Sequence, residues 1–75
     1  MNSKQRRKIK REFPHIIIMR ARNNERYFYH DGRASDAVVW CKHNTKGHMS
    51  CMYWDYAEFK FKHEKDAIVF ALKWL

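Results

Sequence analysis

Two cysteines and two histidines lie close together in the pattern Cys41-x-His43-x4-His48-x2-Cys51. These side chains are the types that hold Zn²⁺ in structural sites. The spacing, however, matches neither the common zinc-finger pattern nor a zinc knuckle. Cys41 also aligns, in an internal repeat described below, with an alanine on a helix face that packs on a sheet. We therefore predict no metal and no other cofactor, and a core position for Cys41, because a buried free cysteine behaves as a small hydrophobe.

Catalytic chemistry has little support in the chain. The five histidines and eight acidic residues allow many acid–base pairs, but no nucleophile elbow, zinc-protease, phosphate-loop or dinucleotide-binding motif is present. His30 and His63 end two similar segments, so a paired-histidine nuclease site is one interpretation. Equivalent positions in a repeat explain the pair more simply. We predict no catalytic residue and a protein that is not an enzyme.

The whole chain has a formal net charge of +8, and this positive charge is concentrated at its amino end. Residues 1–22 hold eight Lys/Arg and one acid, whereas residues 23–75 hold eight Lys/Arg and seven acids. Clustered Lys/Arg is typical of polyanion binders, because each neutralised phosphate releases counterions. A solubilising tail and docking on an acidic protein are the alternatives. The predicted nucleic-acid contacts are Lys4, Arg6, Arg7, Lys8, Lys10, Arg11, Arg20, Arg22, Lys60 and Lys62.

Length and composition indicate one small folded domain. The 75 residues are 45% apolar and 16% aromatic, which argues against disorder. Two cysteines are too few for the disulfide framework of a small secreted domain. The longest apolar run is far shorter than the roughly 18 residues that span a bilayer. These features predict a cytoplasmic protein with no membrane partner.

Local patterns predict a basic arm followed by strands and helices. Pro14 ends a short helix in an N-terminal arm, residues 1–13, and a single domain covers residues 14–75. Alternating, β-branched or aromatic segments predict four strands, at residues 15–22, 26–30, 49–55 and 58–63. Apolar residues at helical spacing predict two helices, at residues 36–44 and 65–75.

An internal repeat suggests how these elements are arranged. The segment Asp36–Cys41 (DAVVWC) matches Asp66–Ala71 (DAIVFA), and each follows an aromatic segment that ends in histidine. We interpret this as a duplicated β-β-α unit, at residues 15–44 and 49–75. It predicts an α+β fold of two layers: a short N-terminal helix, then a four-stranded, mostly antiparallel sheet with both repeat helices on one face.

The other face of that sheet is a candidate binding surface. In EFKFKH, Phe59 and Phe61 alternate with Lys60 and Lys62, so the phenylalanines face the helices and the lysines face outward. An open sheet with basic and aromatic side chains is how several single-stranded RNA binders stack bases. RNA is slightly favoured over DNA, because no clear major-groove recognition helix is present. The predicted stacking residues are Tyr27, Tyr29 and Tyr53, the alternative being that the aromatics form the core.

The last helix is apolar on two sides. Beside the stripe that faces the sheet, Ile68, Leu72 and Leu75 form a second stripe. Such a helix either lies under a deep core or meets another chain. Homodimerisation through the C-terminal helix is therefore one predicted use of it.

Both ends of the chain resemble a known group of proteins. The opening MNSKQRRKIKREFPH and the ending FxFxxxxDAxxFALKW are similar in style to short uncharacterised early proteins of T4-like tailed bacteriophages. The resemblance implies a bacterial host cytoplasm and a role in host takeover or counter-defence. It also implies binding to a host protein or a nucleic acid rather than catalysis, and it assigns no role to any single residue.

Overall fold

The computed structural model describes residues 10–25, 28 and 32–75. Within them the chain forms a small α+β domain whose elements follow one another in the order β, α, β, β, α. The elements are β1 (His15–Arg20), α1 (Arg33–Asn44), β2 (His48–Met52), β3 (Tyr56–Phe61) and α2 (Glu64–Trp74). Neither helix in this part of the chain combines the length and the apolar character needed to cross a bilayer.

Strand β3 is central in an antiparallel sheet whose order, among the described residues, is β1-β3-β2. Phe61 lies opposite His15 on one side and His48 on the other, and this row defines the arm end of the sheet. At the opposite end, which we call the hairpin end, Arg20 pairs with Tyr56, and residues 53–55 connect β2 to β3. The strands are about 17 Å long, at roughly 3.4 Å per residue.

One face of the sheet is the core. Met19, Ala57, Phe59 and Phe61 are fully buried on it, as the alternation in the sequence predicted for the two phenylalanines. Phe70 of α2 completes this cluster, with its ring centroid 4.6 Å from that of Phe59 and 5.1 Å from that of Phe61. Burial of these large side chains supplies most of the stabilisation of a domain this small.

Both helices cover this core face. Helix α1 packs mainly over β2, and α2 packs over β1 and β3. Trp40 lies between the helices, 6.1 Å from Phe70 and 6.5 Å from Trp74 between ring centroids. The helices run in opposite directions, so that α1 ends and α2 begins at the arm end of the sheet.

The predicted fourth strand is not confirmed. Most of residues 26–30 lies outside the described residues, and Phe28, which is described, is a buried turn residue rather than part of a strand. The duplicated β-β-α unit is likewise not confirmed. Two helices do occur at the repeated segments, but Phe70 is fully buried whereas Trp40 is half-buried. Strand β1 pairs with β3, which belongs to the other predicted unit.

The predicted N-terminal helix falls mostly outside the described residues. Its last part, residues 10–12, is helical, and the helix ends before Pro14. The chain then enters β1 at His15. The arm therefore joins the domain at the arm end of the sheet.

Candidate nucleic-acid interface

The basic arm is the first predicted contact region. Lys4, Arg6, Arg7 and Lys8 lie outside the described residues. Lys10 and Arg11, the last two predicted arm contacts, are exposed, as is Glu12 beside them. Both cations are therefore accessible to a ligand at the arm end.

The sheet face opposite the helices, here called the open face, carries the second predicted set. The strand register settles which side chains share it, because residues directly opposite in antiparallel strands point to the same side. From the arm end to the hairpin end, its rows are Ile16, Lys60 and Met49, then Ile18, Glu58 and Cys51, then Arg20 and Tyr56. The open face is thus a mixed surface, with an apolar edge on β1 and a charged centre.

Only part of the predicted basic set lies on the open face. Arg20 is exposed there, but the ammonium of Lys60 lies 3.8 Å from the carboxylate of Glu58, which offsets its charge. The other two cations predicted for the face follow the strands. β1 ends at Arg20, and Arg22 enters a turn in which its backbone N–H donates to the Glu25 carboxylate. β3 ends at Phe61, and Lys62 follows it at the arm end.

Aromatic side chains gather at the hairpin end. Tyr53 is exposed and stacks on Tyr56, with centroids 4.4 Å apart and planes inclined by 13°. The Tyr53 backbone N–H donates to the Tyr56 carbonyl and closes the turn, which presents Trp54 at 78% exposure. The Glu58 carboxylate raises the pKa of Tyr53 above its ordinary value. Tyr27 and Tyr29 lie outside the described residues.

A cluster of lysines that the sequence analysis did not assemble occupies the arm end. The end of α1 contributes Lys42, the following loop Lys46, and the start of α2 Lys65, beside the predicted Lys62. The Lys62 backbone N–H donates to the Gly47 carbonyl, and the Lys46 backbone N–H donates to the Asp66 carboxylate at 3.0 Å. These bonds join residues that are 15 and 20 positions apart in the chain. No local pattern signals such a contact.

Arg33 was also missed, and its role is structural. Its guanidinium donates two hydrogen bonds to Glu25, at 2.9 and 3.0 Å, one to the Trp74 carbonyl and one to the Arg20 carbonyl. It also lies over the Phe28 ring, 5.5 Å from the centroid. We call this group the Arg33 clamp. Hydrogen bonds from Arg33, followed by a backbone bond from Arg22, lower the pKa of Glu25 from 4.5 to about 2.

The cysteine–histidine set does not come together. Cys41 is fully buried on the core side of α1, where desolvation, with a smaller effect of Asp66, raises its pKa to about 11. Cys51 lies on the open face, on the other side of the sheet. His48 faces the core side, where burial, then the charge of Lys42, lowers its pKa. Among the described residues, no group of three or more His, Cys, Asp or Glu is arranged to hold a metal ion.

Comparison with known proteins adds no assignment. No protein-family model, no curated protein and no solved structure matches the chain at a significant level. The similarity to bacteriophage early proteins stays a prediction from the sequence.

Proposed function

We propose that this protein is a small, non-catalytic nucleic-acid-binding protein that favours single-stranded RNA. The basic arm contacts the phosphate backbone, and the open face with its aromatic hairpin end contacts bases. Single strands are favoured because a stacking platform needs unpaired bases. The bacteriophage resemblance would make it a factor in host takeover or counter-defence in the host cytoplasm.

The observation that carries this proposal is the stacked Tyr53–Tyr56 pair, of which Tyr53 is exposed, on a sheet face that α1 and α2 leave uncovered. An exposed aromatic face is a stacking platform for any base, and Arg20 beside it in the same row adds a cation. The arm supplies the positive charge that the open face lacks, because Glu58 offsets the charge of Lys60. Backbone attraction from the arm and stacking at the hairpin end together form a sequence-tolerant binding mode.

Deletion of residues 1–11 tests the role of the arm. Lys10 and Arg11 are exposed, so we expect the described fold to persist. Six phosphate contacts contribute about −4 to the slope of log K against log salt on single strands, at roughly −0.7 per contact. The deletion should remove most of that slope and most of the affinity, as measured by salt titrations of RNA and DNA oligonucleotides.

Circular dichroism melts of both proteins are the control for folding. Binding of neither RNA nor DNA by the full-length protein at low salt contradicts the proposal. Equal binding by the full-length and the arm-deleted protein would mean that the arm does not contribute to nucleic-acid binding.

A second function, protein–protein interaction, is favoured by α2. Ile68, Leu72 and Leu75 are all exposed on it, Leu72 at 83%. A second copy of this chain is one partner for this stripe, and an acidic host protein docked by the basic arm is the alternative to nucleic acid. A pull-down from host lysate with and without nuclease separates the two classes of partner.

The dimer is tested by Leu72→Glu. A charge in the middle of an apolar interface disrupts association, whereas an exposed position tolerates it in the monomer. We expect the native protein to sediment as a dimer and the variant as a monomer. Val39→Glu, at an exposed position of α1, is the matched control. A native protein that is monomeric throughout argues against the dimer.

A further inference from the structure

The lysine cluster at the arm end surrounds a shallow depression. Its volume is about 280 Å³, and it is lined by Lys46, His63, Lys65 and Asp66. Lys62 precedes the lining residue His63 and contacts Gly47, where an added Cβ would come within 3.2 Å of the Lys62 Cβ. Glycine thus allows the α1–β2 loop to approach the end of β3 closely, which brings the two groups of lysines to one place.

The four lysines of this cluster are exposed. In the described part of the chain, no ion pair is formed by the ammonium groups of Lys42, Lys46, Lys62 or Lys65. The one carboxylate in the depression, that of Asp66, already accepts the backbone N–H of Lys46. Cations that stabilise a fold are normally paired, as Arg33 is with Glu25. Unpaired cations around a concave surface instead fit an anion from outside.

We propose that this depression is a second phosphate-backbone site, continuous with the basic arm. The proposal rests on the nucleic-acid-binding function proposed above and adds where the strand lies. The arm enters β1 at His15, in the same row as Phe61 and His48, which Lys62 and the α1–β2 loop adjoin. A nucleic-acid strand bound by the arm therefore crosses the arm end of the sheet. It passes between the end of α1 and the start of α2, over Lys46 and Lys65.

Charge placement supports this end over the rest of the surface. The segments that meet at or lead into it, residues 1–14, 42–48 and 62–66, hold ten Lys/Arg and three acids. All other residues together hold six Lys/Arg and five acids. A phosphate backbone is thus drawn to the arm end, whereas the hairpin end offers rings and little net charge.

The double variant Lys46→Gln/Lys65→Gln tests the site. Both side chains are exposed, and the hydrogen bond to Asp66 uses the backbone of Lys46. The matched control is Lys73→Glu, which changes the net charge by the same amount at the other end of α2. Residues 65 and 73 are about 12 Å apart along the helix, at 1.5 Å per residue. The readout is the salt dependence of single-stranded RNA binding in the full-length protein and after deletion of residues 1–11.

We expect the double variant to reduce the magnitude of the slope by about 1.4, two contacts at roughly 0.7 each, and the control to change it far less. The arm-deleted protein should keep a small slope that the double variant abolishes. Asp66→Asn, which keeps the acceptor and removes a negative charge, should tighten binding.

Three outcomes overturn the inference, and they are distinguishable. If the native protein binds RNA and the double variant has the slope of Lys73→Glu, the second site is absent while the proposed function stands. If Asp66→Asn leaves the affinity unchanged, no phosphate lies in the depression. If the native protein binds no nucleic acid at all, the proposed function fails as well.

Discussion

The two ends of the sheet use positive charge in opposite ways. At the hairpin end, Arg33 is largely buried, at 17% side-chain exposure, and each hydrogen bond of its guanidinium ends on an acceptor of the same chain. At the arm end, Lys46, Lys62 and Lys65 are exposed. Positive charge thus links secondary-structure elements at the hairpin end, whereas at the arm end it is exposed to solvent.

The difference follows from the chemistry of the two side chains. A planar guanidinium satisfies several acceptors in fixed directions and tolerates partial burial, as at the junction of β1, α1 and α2. An ammonium on a flexible chain is strongly hydrated and stays in water unless an anion replaces that water. A count of Lys and Arg therefore overestimates the number of cations available for binding, because the guanidinium of Arg33 is bonded within the fold.

The largest expected effect is that of Arg33→Met. The substitution removes the guanidinium donor from two backbone carbonyls and from the Glu25 carboxylate, which keeps the Arg22 backbone N–H, and it should lower the free energy of unfolding by about 2–3 kcal/mol. Urea denaturation measures it. Lys65→Met at the arm end is the control and should change stability by less than about 0.5 kcal/mol. Equal losses of stability in the two variants would mean that the two ends of the sheet do not differ in how they use positive charge.

A smaller effect is expected for Tyr53→Ala. Loss of a stacked base should cost about 1–2 kcal/mol of binding free energy, the lower part of the range for aromatic stacking, because Tyr56 remains. The salt slope should stay unchanged, since no phosphate contact is lost. Fluorescence titration with single-stranded RNA measures both quantities. A changed slope with unchanged affinity in low salt would place the phosphate contacts at the hairpin end.

The smallest effect concerns acid stability. The pKa of Glu25 is about 2 in the fold against an ordinary 4.5, so its contribution is complete above pH 4.5 and is lost as the pH falls towards 2. We expect a loss of about 1 kcal/mol, because both side chains of the pair keep some contact with solvent, at 17% and 18% exposure, which screens their attraction. Glu25→Gln should remove this part of the pH dependence. Identical acid denaturation of the variant and the native protein would mean that the clamp does not depend on the charge.

Local patterns predicted much of the fold. The alternation in EFKFKH placed Phe59 and Phe61 in the core, and apolar spacing located both helices to within a few residues. The start of α1 was predicted at Asp36 but lies at Arg33, where the clamp anchors the first turn and no side-chain cap is present. The candidate site was predicted less completely. Its arm and Tyr53 were named, but Lys46 and Lys65 were not.

The sequence by itself determined what depends on near neighbours: the helices, the inward faces of the strands, the core position of Cys41 and the excess of charge in the arm. The tertiary structure alone decided what depends on distant pairs. It made β3 central by pairing His15 with Phe61, and it brought Lys46 beside Lys65 through the bond to Asp66. The physical reason is that periodicity reports burial along one segment. Which segments meet is instead set by the closure of long loops around a shared core.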